Sequence, residues 1–93
     1  MFEYAGYLVA WVPNVVNGMV LPNGVYAPPD PHGPEIAGVD LFKDLLDTSL
    51  TPVGYTAHWV ENWDLYHIYA GEVHCGSNVT NQVPTQPWWE SAP

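Results

Sequence analysis

The chain has 93 residues and a formal net charge of −9, because 10 Asp and Glu side chains face a single basic residue, Lys43. Nucleic-acid binding and polybasic membrane binding both need several Lys or Arg contacts to phosphate, so the composition excludes these two classes of function. With 47% hydrophobic residues the chain is expected to fold, but 10 prolines and 8 glycines indicate short elements around a small core.

Cysteine usage and the N-terminal sequence bear on the compartment. Cys75 is the only cysteine, so no intramolecular disulfide stabilises the chain. An unpaired cysteine favours a reducing compartment, and we expect a cytoplasmic protein. Residues 1–4 lack the positive charge of a secretory leader. The most apolar stretch, residues 7–21, is interrupted by proline, asparagine and glycine, so we expect a soluble chain rather than a membrane span.

The first part of the chain predicts two strands and a loop. Residues 7–12 and 15–21 are apolar, β-like runs separated by a turn signal at Pro13-Asn14. Their continuous apolar character is typical of strands covered on both faces. Residues 22–38 contain five prolines and three glycines, which predict an ordered loop because each proline also restricts the residue before it.

The clearest helical pattern covers residues 39–49. Apolar side chains recur there at i, i+3 and i+4 spacing, and the charged side chains fall on the other face. Asp40 is expected in the first turn, where the helix dipole favours an acid. Lys43 and Asp47 are one turn apart and can form a pair. Pro52 ends the helix.

The second half of the chain predicts short strands and turns. Strands are expected over residues 53–60 and 65–69, with a turn at residues 62–64, and residues 72–79 are expected to form a short strand that enters a glycine-containing loop. The proline-rich tail carries Trp88-Trp89, an apolar pair that is expected to pack against the rest of the chain. The order of elements indicates one α/β unit without an internal repeat.

Cys75 is the residue of greatest chemical interest. A lone cysteine is ordinarily a small buried hydrophobe. Here Gly76 leaves room for a substrate to approach the backbone, and the polar Ser77 and Asn78 follow, so the thiol is expected to be exposed enough to react. His74 should face away from Cys75 if the segment is extended, which predicts a packed, hydrogen-bonded histidine and a base supplied from elsewhere.

A zinc site is not favoured. The candidate ligands His58, His67, His74 and Cys75 have irregular spacings that match none of the short paired-ligand patterns. The carboxylates are expected to be mostly solvated, although their negative field would attract a cationic substrate and repel an anionic one.

Residues 71–79, Gly-Glu-Val-His-Cys-Gly-Ser-Asn-Val, resemble the C-terminal active-site segment of the peptidylarginine deiminases, which carry Gly-Glu-Val-His-Cys-Gly-Thr-Asn close to their natural C-terminus. Tyr66-His67-Ile68 and Trp88-Trp89 are similar to the family as well. Upstream, residues 13–21 resemble a strand segment of the family, and residues 33–38 resemble its Gly-Pro-x-Ile-x-Gly turn before a helix. The resemblance leaves the N-terminal segment, residues 1–12, poorly placed.

This resemblance implies a fold and an activity. Members of the family fold as a five-bladed α/β propeller, the pentein fold, and convert protein-bound arginine to citrulline with release of ammonia in a calcium-dependent reaction. Residues 1–93 would then be the C-terminal part of the catalytic domain, about one blade. Cys75 would be the nucleophile that attacks the guanidinium carbon of an arginine-containing protein substrate, forming a thiouronium intermediate that water hydrolyses.

The chain also departs from the family pattern. The family's two substrate-gripping aspartates, its catalytic histidine and its calcium ligands match no segment here, so no metal ligand is assigned. The isolated chain is therefore expected to be inactive, with the remainder of the catalytic domain as its partner. Before Gly71, where the family often has basic residues, this chain has Tyr69-Ala70, which leaves substrate contacts there in question.

Two alternatives remain open at this point. The chain could be a non-catalytic, acidic interaction module derived from such an enzyme. It could also belong to another guanidine-modifying enzyme of the pentein group, such as a free-arginine or agmatine deiminase. The string at residues 71–78 favours the protein-directed family over those.

Overall fold

The computed structural model describes residues 1–80 and 82–91, which form short strands, one long helix and one short helix. The strands are β1 Phe2–Tyr4, β2 Tyr7–Val9, β3 Met19–Leu21, β4 Val25–Ala27, β5 Glu35–Ile36, β6 Val39–Asp40 and β7 Thr56–Ala57. The helices are α1 Leu41–Leu50 and α2 Trp88–Ser91, with 3₁₀ turns at Thr51–Val53 and His67–Tyr69. The described residues therefore form a small α/β unit, in agreement with the class expected from sequence.

Antiparallel hairpins join β1 to β2, β3 to β4, and β5 to β6. In the first and last of these, both linking residues have positive φ: 49° at Ala5 and 84° at Gly6, then 53° at Ala37 and 79° at Gly38. Two consecutive positive φ values are typical of the type I′ turn, whose twist matches that of the flanking strands. The N-terminal residues left unplaced by sequence motifs thus form a regular hairpin.

β4 also pairs with β7, in parallel, so that a three-stranded sheet forms in the order β3-β4-β7. The parallel pairing continues beyond the strands, because the N–H of His58 donates to the carbonyl of Tyr26 at 2.7 Å and that of Val60 donates to the carbonyl of Pro28 at 2.9 Å. Parallel neighbours need a crossover connection, and α1 lies within it.

The helix predicted over residues 39–49 is confirmed as α1, with Asp40 as its N-cap rather than a member of its first turn. Asp40 Oδ1 accepts hydrogen bonds from the backbone N–H groups of Phe42 at 2.9 Å and Lys43 at 3.1 Å. Its other oxygen accepts the N–H of Gly33 at 2.8 Å. One carboxylate therefore satisfies the start of the helix and fixes the preceding loop against it.

Lys43 does not pair with Asp47 as the helical spacing suggests. Its Nζ lies 2.6 Å from Asp30 Oδ2 and 5.4 Å from the ring centroid of Trp59. Burial raises the pKa of the Asp30 carboxyl, but hydrogen bonds from Lys43 and from the backbone N–H of His32, together with the nearby positive charge, hold the pKa below its ordinary value. The one lysine thus connects α1 to the proline-rich segment before it.

Several strand predictions are wrong or too long. Residues 65–69 form a turn and a 3₁₀ helix, and residues 73–76 form a turn in place of the short strand expected before the glycine-containing loop. The backbone explains the first difference, since the N–H of His67 donates to the carbonyl of Asn62 at 3.1 Å, leaving no donor for a neighbouring strand. The remaining predicted strands survive only as β2, β3 and β7, whereas the predicted loop 22–38 contains β4 and β5. β6 occupies the first two residues of the predicted helix.

The described part of the chain buries few apolar side chains. The buried apolar residues are Val9 and Ala27, joined by Pro13, Pro28, Pro29 and Pro31, and the buried polar residues are Asn62, His67 and Glu72. Leu8 is 71% exposed and Val16 is 79% exposed, so the prediction that residues 7–21 are covered on both faces is wrong within this chain.

The dimensions agree with this thin core. The radius of gyration is 16.0 Å, whereas a compact chain of this length has a radius of about 12 Å. Trp89 is 65% exposed, and the part of the tail prediction that concerns the Trp88 side chain lies outside what is described. Within the described ranges, no helix has the length and apolar character needed to cross a membrane.

We expect Lys43→Met to lower the free energy of unfolding by about 1 kcal/mol, because it removes a partly buried ion pair and a cation–aromatic contact. Because the pKa of Asp30 is depressed in the folded state, this carboxylate contributes its full stability at pH values above its ordinary pKa. That stability is lost as the pH falls through the folded-state pKa. The loss of stability on acidification should therefore be smaller in Lys43→Met than in the wild type. Urea unfolding between pH 3 and pH 7 measures both effects.

Asp47→Asn is the matched control, because it removes the partner that helical spacing suggests without touching Asp30. It should change the free energy of unfolding by less than about 0.5 kcal/mol. A larger loss from Asp47→Asn than from Lys43→Met would contradict the Asp30 pairing.

Candidate active site

Cys75 lies exposed in the turn formed by residues 73–76. The N–H of Gly76 donates to the carbonyls of Glu72 at 3.3 Å and Val73 at 3.2 Å, and the N–H of Ser77 donates to the carbonyl of His74 at 3.2 Å. A turn exposes a side chain at its outer edge, whereas in a strand the same backbone would form hydrogen bonds with a neighbouring strand. The expectation that this thiol is accessible agrees with its exposure.

His74 is exposed, so the prediction of a packed, hydrogen-bonded histidine is wrong. The argument from alternating strand faces also fails, because the segment is a turn. Its backbone N–H bonds to Asn17, and its side chain lines a cavity of about 460 Å³ together with Met19 and Val79. Within residues 1–80 and 82–91, the hydrogen-bond partner of the Cys75 sulfur is Asn17, not the imidazole of His74.

Asn17 reaches the thiol from a segment 58 positions earlier in the chain. Its Nδ2 lies 3.6 Å from the sulfur, and its Oδ1 lies 3.8 Å from the sulfur and accepts the N–H of His74 at 3.0 Å. Its backbone carbonyl accepts the same N–H at 3.2 Å. Both the side chain and the backbone of Asn17 therefore hold the turn that carries Cys75. Sequence motifs gave no signal for this contact.

The Tyr26 hydroxyl fixes the segment that carries Asn17. It accepts the N–H of Gly18 at 3.1 Å and donates toward the carbonyls of Val15 at 2.8 Å and Val16 at 2.9 Å. Burial raises the pKa of Tyr26 above its ordinary value, and the bond from Gly18 offsets part of that rise. The phenol thus anchors this segment from a neighbouring strand.

A buried polar network lies immediately before the thiol turn. Glu72 bonds to His67 through one carboxylate oxygen and accepts the side-chain N–H of Asn62 at 2.8 Å through the other. The second ring nitrogen of His67 lies 2.8 Å from the carbonyl of Ala10. Both ring nitrogens therefore face oxygen atoms, and the buried imidazole is held from two sides.

Aromatic rings cover this network. The Trp63 ring lies 4.6 Å from the His67 ring, centroid to centroid, and Phe2 stacks on Trp63 at 5.8 Å. Trp11 lies 5.3 Å from Phe2. The N-terminal hairpin thus excludes water from the pair, which strengthens its internal hydrogen bonds.

Gly76 has a different role from the one expected from sequence. A Cβ at this position would lie 2.3 Å from Cε1 and 2.4 Å from Cζ of Tyr66. The space beside the Gly76 backbone is therefore occupied by an aromatic ring, and it does not admit a substrate from that side. Glycine lets the thiol turn pack directly on Tyr66, and any larger residue would require the exposed end of that ring to move.

A family model described as protein-arginine deiminase matches residues 2–90. The chain belongs to the protein-arginine deiminase family. Protein-arginine deiminase type-4 of Mus musculus is 39% identical over 85 residues, and type-1 of the same organism is 36% identical over 93 residues. The human type-4 protein is 36% identical over 84 residues.

The matches cover most of this chain but a small share of each relative. They include 90% to 99% of the chain and 12% to 14% of these relatives. The family match begins at residue 2, so it includes the N-terminal hairpin that motif comparison left unplaced.

The described residues do not offer a site suited to calcium, the metal that resemblance to the deiminases implies. One cluster, Asp30, His32 and Glu61, brings possible ligand atoms within 4.8 Å of one another. Calcium prefers six to eight oxygen ligands, whereas this cluster includes an imidazole, and Asp30 already bonds to Lys43. His32 and Glu61 are bonded to each other at 2.7 Å. No residue of this cluster is assigned to calcium.

The zinc combination weighed from sequence is also not assembled. His67 is committed to Glu72 and Ala10, and the ligand cluster found among the described residues contains neither His67 nor Cys75.

Gly76→Ala should destabilise the chain by about 1–3 kcal/mol, because the added methyl overlaps the Tyr66 ring. The double variant Gly76→Ala with Tyr66→Ala should cost less than the sum of the two single changes, since the second change makes room for the first. Urea unfolding of the four proteins measures the coupling.

Gly71→Ala is the control for this prediction, because its Cβ would make its nearest contact at an ordinary 3.6 Å from Cys75 Cβ. It should cost less than Gly76→Ala. Strict additivity of the Gly76 and Tyr66 changes would show that the ring does not impose the glycine.

Tyr26→Phe should lower the free energy of unfolding by about 1 kcal/mol at pH 7, since it removes hydrogen bonds to partly buried backbone groups. The raised pKa of Tyr26 means that this contribution is complete below pH 10 and is lost as the pH rises through the folded-state value. The gap between the wild type and Tyr26→Phe should therefore close at alkaline pH. A gap that stays constant to pH 12 in urea unfolding would contradict the anchoring role.

Proposed function

We propose that the chain is the nucleophile-bearing, C-terminal part of a protein-arginine deiminase catalytic domain, which converts peptidyl-arginine to peptidyl-citrulline. The observation that carries the proposal is the exposed thiol of Cys75, presented on a turn within a segment that matches the family model. In this proposal, Cys75 attacks the guanidinium carbon, ammonia leaves, and water hydrolyses the resulting thiouronium to release citrulline and regenerate the thiol.

The chain supplies the nucleophile and not the groups that bind and deprotonate the substrate. Glu72 and His67 are buried and bonded to each other, so they do not serve as a substrate-gripping carboxylate and a proton-transferring base. The remaining groups are proposed to come from the rest of the catalytic domain, together with the calcium ligands. The net charge of −9 suits a cationic guanidinium substrate.

We further propose that the chain forms about one blade of a five-bladed α/β propeller. The parallel pairing of β4 with β7 across α1 is compatible with such a unit. The exposed apolar side chains, Leu8 and Val16 among them, suit surfaces that neighbouring blades cover. The single unpaired cysteine suits a reducing compartment, so the cytoplasm is the proposed location.

The test is a chimera in which residues 1–93 replace the matching segment of the mouse type-4 protein. With calcium present, the chimera should produce citrulline from an arginine peptide, and Cys75→Ser should reduce the rate by about a thousandfold or more. The 93-residue chain alone should produce no citrulline, because it lacks the carboxylates and base.

Each other outcome decides against part of the proposal. A folded but inactive chimera would favour a non-catalytic acidic module. A chimera that keeps its rate after Cys75→Ser would exclude Cys75 as the nucleophile. Turnover by the isolated chain, abolished by Cys75→Ser, would show that residues 1–93 already contain a complete site.

A further inference from the structure

One contact that the proposed function leaves unassigned joins Cys75 to Asn17. Asn17 ends a turn in which its N–H donates to the carbonyl of Asn14 at 2.9 Å. The Asn14 side chain accepts the N–H of Val16 at 3.1 Å, and the Tyr26 hydroxyl anchors the same backbone. The Asn17 side chain is thus held by a segment that local hydrogen bonds make rigid before it reaches the sulfur.

The orientation of the Asn17 amide follows from its partners. The N–H of His74 is a donor only, so the amide atom 3.0 Å away must be the oxygen. The NH₂ group is then the atom 3.6 Å from the Cys75 sulfur. Reversing the amide would set two donors against each other at His74, which excludes the alternative.

This arrangement suits both states of the sulfur. As a thiol, Cys75 can donate its S–H toward Asn17 Oδ1 at 3.8 Å. As a thiolate, the sulfur has no proton and can only accept, and Asn17 Nδ2 offers it an N–H. A donor aimed at the sulfur stabilises the anion relative to the thiol, and the anion is the nucleophilic form.

We propose that Asn17 is the positioning residue for Cys75, holding its sulfur at the outer edge of the turn and stabilising the thiolate by N–H donation. This role deepens the proposed function and rests on it for its meaning in catalysis. The segment before β3 therefore helps to position the nucleophile. Sequence motifs do not indicate this role.

The other titratable groups near the turn do not supply the same interaction. The Glu72 carboxylate is bonded to His67 and Asn62. Tyr66 packs its ring against Gly76. His74 adjoins Cys75 in the turn, but within the described residues its hydrogen bonds are made by its backbone N–H and carbonyl, not by its ring. Asn17 is therefore the polar side chain placed to respond to the charge on the sulfur.

The test measures alkylation of the 93-residue chain by iodoacetamide as a function of pH, since Cys75 is its only cysteine. Asn17→Asp keeps an oxygen for the N–H of His74 but removes the donor to sulfur. Asn17→Leu removes the donor without adding charge. Both variants should alkylate about tenfold more slowly near neutral pH, with a profile displaced to higher pH and a limiting rate at high pH close to that of the wild type.

Asn14→Asp is the matched control. It makes the same chemical change in the same turn and keeps an acceptor for the N–H of Val16, but Asn14 does not contact the sulfur. Its alkylation should stay within about twofold of the wild type. The proposal is overturned if Asn17→Asp follows the Asn14→Asp profile, because the contact with the sulfur would then have no effect on alkylation. It is also overturned if Asn17→Leu follows the wild-type profile, because the effect of Asn17→Asp would then be charge repulsion alone.

Further measurements distinguish loss of the Asn17 contact from structural damage and from failure of the proposed function. Near-UV circular dichroism identifies a variant that has lost its fold, and alkylation in urea should then be equal for all proteins. A variant that merely loosens the turn changes the rate at every pH, including the high-pH limit, which would overturn the thiolate role. Inactivity of the deiminase chimera alongside the expected alkylation profiles would reject the proposed function while leaving the Asn17 role intact.

Discussion

The buried contact between Glu72 and His67 is the interaction on which the rest of the structure depends. A carboxylate removed from water is costly unless it is paired and hydrogen-bonded, and here the imidazole and the Asn62 amide satisfy both oxygens. The far side of the ring reaches the carbonyl of Ala10, so one histidine connects the N-terminal hairpin to the segment before the thiol. Replacing His67 or Glu72 would leave buried polar groups of the network without a partner.

This contact also gives the small chain a specific arrangement that its apolar residues do not provide. Hydrophobic packing is non-directional, and Val9 and Ala27 alone bury little surface. Hydrogen bonds at the network, at the Asp40 helix cap and at the Tyr26 hydroxyl are directional, and each holds two separate elements or loops together. The apolar surface left exposed is then available to the larger domain that the proposed function requires.

Sequence reasoning succeeded where the signal is local. The helix was predictable because apolar spacing and a capping acid both lie within α1 and its flank. The strand predicted at residues 65–69 was wrong because aromatic and β-branched residues favour a strand, whereas the burial of His67 against Glu72 draws the backbone into local turns. Asn17 was missed because its partner lies 58 positions away, and no spacing rule connects them. Cys75 was identified by resemblance, and the turn that exposes it was not.

The prolines that follow β4 have a consequence for the edge of the sheet. β3 pairs with β4 only as far as Ala27, while the parallel ladder on the other side continues to Asp30. On the side facing away from β7, the next two backbone positions are Pro29 and Pro31, which have no N–H to donate. A further strand therefore finds no ladder to extend there. Prolines, rather than a charged side chain, therefore disfavour intermolecular β-pairing at this part of the sheet edge.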